Sequence, residues 1–211
     1  MATPPDINWN QQQRDAIDRL RGWSDKSEAG LQVALTGAAG TGKTTVLSAV
    51  KPFIDGKAVA WTAMTGKAAL RMREAAGVEA KTLHSVLYKR PSKGKNNKLY
   101  FNSLKEPDCK YLIIDEASMM SPKIYTDLQA WAAQGVRILY VGDGYQLPPV
   151  LDYKEVKEYG EDFSIFCKVA GPALSQVMRS GDDIIKVATQ LREENEVPKI
   201  FDLYGLPRQR L

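Results

Sequence analysis

Four short stretches hold residue types and spacings that could do chemistry on a phosphate. The first is Gly37-Ala38-Ala39-Gly40-Thr41-Gly42-Lys43-Thr44, a full match to the pattern G-x-x-x-x-G-K-[ST]. Its glycines let backbone N–H groups turn inward, and a following helix would add partial positive charge at its N-terminus, so the loop suits a phosphate chain. Lys43 would reach the β and γ phosphates of a nucleotide, and the Thr44 hydroxyl would ligate Mg²⁺. The competing reading is a glycine-rich strand-to-helix turn with no ligand. The second stretch is the pair Asp115-Glu116, the third is Gly142-Asp143-Gly144-Tyr145-Gln146, and the fourth is Arg179. Phosphoryl transfer to water needs charge neutralisation, an aligned water and a base. Asp115 can hold Mg²⁺ through its water shell, and Glu116 is placed to polarise the attacking water. Gln146 is neutral and long enough to sense a γ-phosphate, and Arg179 could bring positive charge to the transition state. Taken singly, an Asp-Glu pair is also a common helix cap, and an arginine before Ser-Gly is usually a surface residue.

These residues need elements to position them. Val33-Ala34-Leu35 is a short apolar run that reads as a buried strand before the loop, and Thr44 to Val50 can begin a helix that Pro52 would soon stop. Upstream, Asn10 to Leu20 reads as a helix with Ala16, Ile17 and Leu20 on one face and Gly22 past its end. Asn10 is a plausible cap for it and Gln13 a capping-box partner. Lys57 to Trp61 reads as a second strand, and Gly66 to Ala76 as a helix closed by Gly77. Tyr111-Leu112-Ile113-Ile114 is a buried strand leading into the two carboxylates. Ser121 caps a helix with Pro122 in its first turn, and Val136 to Val141 is a further strand. Asp152 to Asp162 is acidic and expected on the surface, Leu174 to Arg179 is a candidate short strand, and Asp182 or Asp183 opens another helical pattern. Alternating strands and helices imply an α/β fold, a mostly parallel sheet flanked by helices. Ligands bind such sheets at the carboxyl ends of the strands, and all three strand-borne stretches follow strand ends.

Lys89 to Lys105 has a different character. It holds six basic residues, Lys93, Lys95 and Lys98 among them, and no acidic one. Tyr88, Tyr100 and Phe101 are interleaved with them, and Pro91, Gly94, Asn96 and Asn97 supply turn chemistry. One reading is a solvated lysine-rich loop. The other is a protruding hairpin whose lysines touch phosphates and whose aromatics stack on bases.

The bulk numbers narrow the class. The chain has 211 residues, 44% hydrophobic and 26% charged, with a net charge of +4. That is ordinary for a globular protein and only mildly basic. No apolar run approaches the roughly 20 residues needed to span a membrane, and the N-terminus carries no signal-peptide core. Cys109 and Cys167 make no zinc pattern and fit a reducing compartment. No membrane partner is expected, and the chain is expected to be a cytoplasmic monomer.

In order along the chain, these stretches resemble the motifs of superfamily 1 DNA helicases, most closely the RecD-like branch that includes the phage Dda enzymes. Trp9 to Ile17 is similar to the Q motif, Gly37 to Thr45 to motif I, and Thr62 to Ala69 to motif Ia. Thr82-Leu83-His84-Ser85 is similar to the DNA-contact motif that follows. Leu112 to Met119 resembles motif II, Val141 to Pro149 motif III, and Gln176 to Ser180 motif IV. The resemblance implies a RecA-like ATP-binding lobe over residues 1–171, with a strand-separating hairpin inserted at about 88–106, and the start of a second motor lobe over 172–211. It further implies that Gln13 reads the adenine edge and that Gln146 couples the γ-phosphate to DNA, with Arg179 contacting that phosphate. Thr65, Lys67, Thr82 and His84 would lie on the DNA side; His84 is equally readable as a packed or hydrogen-bonded residue.

The implied cofactors are ATP and Mg²⁺. The implied partner is single-stranded DNA, travelled 5′ to 3′, with replication or recombination proteins beside it in a bacterial or phage-infected cell. No candidate for motifs V and VI precedes Leu211, so ATP binding with weak DNA binding is expected of these residues, rather than processive unwinding. Two alternatives stand beside the helicase lobe: a non-motor ATPase switch or loader that works with a partner, and a single-strand-binding module without turnover. A P-loop kinase fits less well, because Asp-Glu and the Gly-Asp-x-x-Gln stretch point elsewhere.

Overall fold

The computed structural model describes residues 7–25, 31–54, 56–88, 104, 106–146, 148–161 and 163–178, with the backbone of 92–93 and 99–100. In chain order the elements are α1 (Gln11–Asp25), β1 (Gln32–Gly37), α2 (Lys43–Ile54), β2 (Val59–Ala63), α3 (Gly66–Ala76), β3 (Ala80–Thr82) and α4 (Leu83–Leu87). Then come β4 (Ser92–Lys93), β5 (Leu99–Tyr100), β6 (Tyr111–Asp115), α5 (Pro122–Ala133), β7 (Arg137–Gly142), α6 (Tyr153–Tyr159) and β8 (Ala173–Leu174). Six strands form one sheet in the order β3-β2-β6-β7-β1-β8. Every pair in it is parallel. This is the RecA-like P-loop α/β lobe expected from the sequence.

The central strands are largely apolar because both faces are covered. Val33, Leu35, Tyr111, Ile113, Leu139 and Val141 point to one face, where α1, α2 and α3 pack with Leu20, Leu47, Val50 and Met72. Ala34, Leu112, Ile114, Ile138 and Tyr140 point to the other, against Leu83 and Leu87 of α4 and Leu128 and Trp131 of α5. The period-two alternation assigns each strand residue to its layer. Ile113 and Ile114 are both fully buried, on opposite faces, so truncating either to alanine would cost about 2–5 kcal/mol.

Several boundaries differ from the sequence reading. Helix α1 runs five residues past Leu20, through Gly22. Tertiary contacts outweigh the glycine cost of roughly 1 kcal/mol. Trp23 is buried and meets the Tyr111 ring edge to face at 5.7 Å. The closing carbonyls of α1 also accept hydrogen bonds from cations and a phenol: Arg137 donates to Trp23 at 2.6 Å, Tyr111 to Ser24 at 2.7 Å and Lys57 to Ser24 at 3.1 Å. Helix α2 continues through Pro52 to Ile54, because a proline in the last turn removes one bond while Ile54 is buried. The acidic stretch after Asp152 is a short helix, α6, opened by a capping box between Asp152 and Glu155. Helix α3 is closed by Gly77 at φ 59°, as expected.

The insertion after β3 is a two-stranded antiparallel hairpin, with Ser92 opposite Tyr100 and Lys93 opposite Leu99. Its base is docked on α5. Tyr88 does not present its ring to a base, contrary to the sequence reading. It is buried, and its hydroxyl donates to Asp127 at 2.6 Å. The Trp131 indole donates to the Leu104 carbonyl at 2.9 Å, and the Leu104 N–H donates to Leu87 at 2.8 Å. Lys95, Lys98, Arg179 and the helical pattern from Asp182 lie outside the described residues, and only the backbone of Lys93 lies within them.

Strand β8 pairs with β1 at Thr36 and Gly37. The boundary read at residue 172 therefore falls just before a strand of this same sheet. The strand reading for Leu174 to Arg179 shrinks to Ala173–Leu174. No helix among the described residues is long and apolar enough to cross a membrane.

Candidate functional site

The carboxyl ends of the strands make a rim on which the chemistry-bearing residues fall in sequence along the sheet. Thr82 ends β3, Thr65 follows β2, Asp115 ends β6 and Glu116 follows it, Asp143 and Gln146 follow β7, and the glycine-rich loop follows β1. Asp115 pairs with Ala63 of β2, and Ala63 pairs with Thr82 of β3. The register thus sets the two threonine-bearing turns beside the carboxylates.

The loop from Gly37 to Gly42 is built to turn its backbone inward. Gly40 and Gly42 have φ of 81° and 88°, where a side chain is disfavoured. At Gly42 an added Cβ would also lie 2.5 Å from the Gln13 amide nitrogen. Thr41 is fully buried, and its hydroxyl donates to the Ala38 carbonyl at 2.9 Å. Helix α2 starts at Lys43, and its first closing bond runs from Val46 N–H to the Gly42 carbonyl at 2.9 Å. The N–H groups of a helix's first turn have no intrahelical acceptor, so this end of α2 is an anion seat. The Lys43 ammonium donates to the Gly37 and Ala38 carbonyls at 2.6 and 2.9 Å. To reach a phosphate it would exchange these neutral acceptors for charged ones.

Lys43, Thr44, Asp115, Glu116 and Gln146 line one open cleft of about 540 Å³, with Ala39, Gly142 and Asp143. The Asp115 carboxylate accepts the Glu116 N–H at 2.9 Å. Burial pushes the Asp115 carboxyl above its ordinary range; that N–H and the charges of Lys43 and Arg71 pull the other way without offsetting it. Glu116 sits at φ 56°, ψ 36°, a left-handed conformation that costs a non-glycine residue roughly 1–2 kcal/mol. Asp143 is buried and accepts the Tyr145 N–H at 3.1 Å, which shapes the turn that carries Gln146. Thr44 is exposed toward solvent, and Thr45 lies half-buried in the same helical turn.

Two neighbours brace the loop from outside. The Gln13 amide is buried; its nitrogen donates to the Thr41 carbonyl at 3.2 Å and its oxygen accepts the Asn10 N–H at 3.2 Å. Asn10 returns the capping box by accepting the Gln13 N–H at 2.8 Å. Beside it, the Gln12 side chain ties down the segment after β8, donating to the Ser175 hydroxyl at 2.8 Å and accepting the Ser175 and Gln176 N–H groups. The Met178 N–H then donates to the Gly40 carbonyl at 2.9 Å. The run leading to Arg179 is thus laid directly on the loop.

Of the residues assigned to the DNA side, Thr65 is half-buried, Lys67 and His84 are exposed and Thr82 is half-buried on the far part of the rim. The His84 ring lies 5.7 Å from that of Tyr88. None of the four lines the cleft. Arg71 does line it, and sequence reading missed it. Lys67, Arg71 and Glu74 share the polar face of α3, opposite the buried Ala68, Ala69 and Met72. A polar helix face reads as solvent-facing unless the cleft it borders is known. Cavities of about 480 and 500 Å³ open at the other ends of the strands. Three of their basic residues are engaged by helix ends: Lys51 donates to the closing carbonyls of α3, and Lys57 and Arg137 to those of α1.

Comparison with known proteins agrees with this geometry. The family model AAA_30, described as an AAA domain, matches residues 8–206. The chain is 38% identical over 144 residues to the ATP-dependent RecD2 DNA helicase of Deinococcus radiodurans, covering 67% of this chain and 18% of that one. It is 32% identical over 181 residues to the ATP-dependent DNA helicase dda of Enterobacteria phage T4, covering 82% of this chain and 41% of that one. Among solved structures, Bacteroides Pif1 bound to ssDNA superposes with a TM-score of 0.66 at 24% identity, covering 98% of this chain and 51% of that chain. That last likeness is one of fold. The resemblance to superfamily 1 helicases, RecD- and Dda-like, therefore holds, and the chain spans less than half the length of these two relatives.

Proposed function

Since the chain belongs to the AAA domain family whose model spans residues 8–206, we propose that it is the ATP-binding lobe of a DNA helicase. It hydrolyses ATP to move 5′ to 3′ along single-stranded DNA. The observation that carries this reading is the convergence of Lys43, Thr44, Asp115, Glu116 and Gln146 on one cleft at the carboxyl rim. The likeness to two proteins named ATP-dependent DNA helicases supports it.

The loop amides from Gly37 to Thr45 and the start of α2 cradle the phosphates, and Lys43 neutralises their charge. Glu116 takes the proton of the attacking water. Gln146 reports the γ-phosphate to the neighbouring rim, and Arg179 stabilises charge on it. Gln13 keeps one amide hydrogen and one lone pair beyond its bonds to Thr41 and Asn10, enough for an adenine edge. Hard oxygen donors suit Mg²⁺, and the Thr44 hydroxyl and Asp115 carboxylate line the same cleft. They would hold the ion, which supplies charge neutralisation at the phosphates. Asp115 is kept in place for this by the Glu116 N–H.

Thr65, Lys67, Thr82 and His84 form the DNA-facing part of the rim, and Lys93, Lys95 and Lys98 supply positive charge for the same strand. The second lobe begins beyond β8, a reading supported by the pairing of β8 with β1. ATP turnover with and without oligo-dT tests the reading. Stimulation by DNA that is lost in Glu116→Gln, with ATP binding kept, is the expected result. DNA binding without turnover under any condition would favour a binding module, and turnover only with an added protein would favour a switch or loader.

A further inference from the structure

The backbone that leaves β8 is laid back across the phosphate loop, and one side chain of α1 holds it there. Gln12 lies half-buried in the first turn of α1. Its amide oxygen accepts the N–H groups of Ser175 and Gln176 at 2.9 and 3.2 Å, and its amide nitrogen donates to the Ser175 hydroxyl at 2.8 Å. The side chain thus supplies partners that irregular backbone does not find in itself. Two residues further on, the Met178 N–H donates to the Gly40 carbonyl at 2.9 Å, and the Met178 sulfur accepts from the Asn10 amide at 3.6 Å. Residues 175–178 therefore form a strap between α1 and the loop.

Peptide units are planar, and none among the described residues is cis, so a carbonyl and the N–H of the next residue point in opposite directions. Met178 turns the Gly40 carbonyl toward the strap, which turns the Thr41 N–H away from it and into the loop. The Gln13 amide holds the Thr41 carbonyl outward at 3.2 Å, which turns the Gly42 N–H inward in the same way. Two successive amides are thus aimed by two holders outside the loop. Gln13 aims the Gly42 amide; the strap, and Gln12 behind it, aims the Thr41 amide. Glycines at φ of 81° and 88° flank Thr41 and do little to fix these peptide planes by themselves. The Thr41 N–H donates to the Ala38 carbonyl at 3.4 Å, a long bond. A phosphate oxygen would offer it a shorter, charge-assisted one. The Ala38 carbonyl would keep the Thr41 hydroxyl, which donates to it at 2.9 Å.

We propose that Gln12 is a positioning residue for phosphate: by clamping the strap, it aims the Thr41 amide at the triphosphate before the ligand arrives. The proposal rests on the nucleotide-binding reading above and deepens it by naming what holds the anion seat in shape. The gain is preorganisation, because the orientation of that amide is fixed in folding and not during binding.

The test follows the amide resonances of the ¹⁵N-labelled 211-residue chain as inorganic tripolyphosphate is added, with ATP binding measured in parallel by calorimetry. In the parent, the Thr41 and Gly42 amide protons should both move downfield, and the Met178 amide should exchange slowly with solvent. In Gln12→Ala the Met178 amide should exchange faster. The Thr41 response should be lost and the Gly42 response kept, with tripolyphosphate bound about fivefold more weakly, the order of one hydrogen bond. Gln12→Glu, whose carboxylate still accepts both strap N–H groups, should restore Met178 protection and the Thr41 response. If Gln12→Ala does not stay folded, Gln12→Met carries the comparison, since it keeps the length of the side chain without its amide. A folded Ala or Met variant whose Thr41 amide responds like the parent's overturns the proposal. So does a variant that loses the Thr41 and Gly42 responses together, which marks a general loosening of the loop. A parent chain that binds ATP with an unmoved Thr41 amide overturns the aim alone. A parent chain that binds neither tripolyphosphate nor ATP overturns the proposed function, and the aim with it.

Discussion

A buried hydrogen bond joins Gln13 of α1 to Thr41 of the phosphate loop, the side-chain amide donating to the backbone carbonyl at 3.2 Å. The helix that precedes the loop in sequence thus sets the loop's shape from outside, and Gly42 has no side chain because that amide occupies the space. Gln13→Ala removes both this bond and the one to Asn10. It leaves a buried carbonyl short of a partner, which costs about 1–3 kcal/mol. Urea unfolding should show that loss, and ATP titration of the folded variant should show weakened binding. ATP affinity equal to the parent's would confine Gln13 to its capping role.

Asp115 carries a penalty that function explains. Its carboxyl is raised above the ordinary aspartate range, chiefly by burial. A carboxyl raised in the folded state binds more protons there than in the unfolded chain, between the two pKa values. Stability therefore falls as pH climbs through that window, and at neutral pH the ionised group is a net cost. Asp115→Asn should melt higher than the parent at pH 7, by about 2–4 °C for each kcal/mol recovered. The gap should close as pH is lowered toward 4. Asparagine can still accept the Glu116 N–H, so the backbone stays, while Mg²⁺-dependent nucleotide binding weakens. Calorimetry at several pH values checks the sign.

Tyr88 anchors the hairpin rather than serving it as a base platform. Burial first, then the bond and charge of Asp127, push its phenol far above the usual tyrosine range. Tyr88→Phe deletes a hydrogen bond to a carboxylate that keeps Lys123 at 2.8 Å. Bonds to charged groups contribute about 1.5–3 kcal/mol, so chemical denaturation should report a loss of that order. The affinity for oligo-dT should stay unchanged.

What the sequence made legible, and what it hid, follows from range. The loop, the carboxylates and Gln146 were readable because their chemistry is local: a fixed spacing of glycines before a lysine, and charges at the end of an apolar run. The parallel sheet was readable because strands buried on both faces are apolar at nearly consecutive positions, as in Val33-Ala34-Leu35 and Tyr111 to Ile114. Gly22 and Pro52 misled because their local penalties are outweighed by Trp23 and Ile54, whose partners are distant in sequence. Tyr88 misled for the same reason, since Asp127 lies 39 residues on. The place of Arg71 at the cleft could not be read at all. It depends on β2 and β6 being neighbours, which only the strand order reveals.

The lysines of the hairpin carry an electrostatic prediction. Neutralising Lys93, Lys95 and Lys98 together should weaken oligo-dT binding, and should flatten the plot of log affinity against log salt by about 2, at roughly 0.7 per phosphate contact for single strands. Anisotropy titrations over a salt series measure both. An unchanged slope would return the segment to a solvated surface loop.

The central claim is that a nucleoside triphosphate sits in the cleft lined by Lys43, Asp115 and Gln146. The most direct measurement is equilibrium binding of a fluorescent ATP analogue to the parent chain and to Lys43→Ala, in the presence of Mg²⁺. Loss of a charge-assisted contact to phosphate should weaken binding tenfold or more, about 1.4 kcal/mol at least. A folded Lys43→Ala protein that binds the analogue as tightly as the parent would contradict the account.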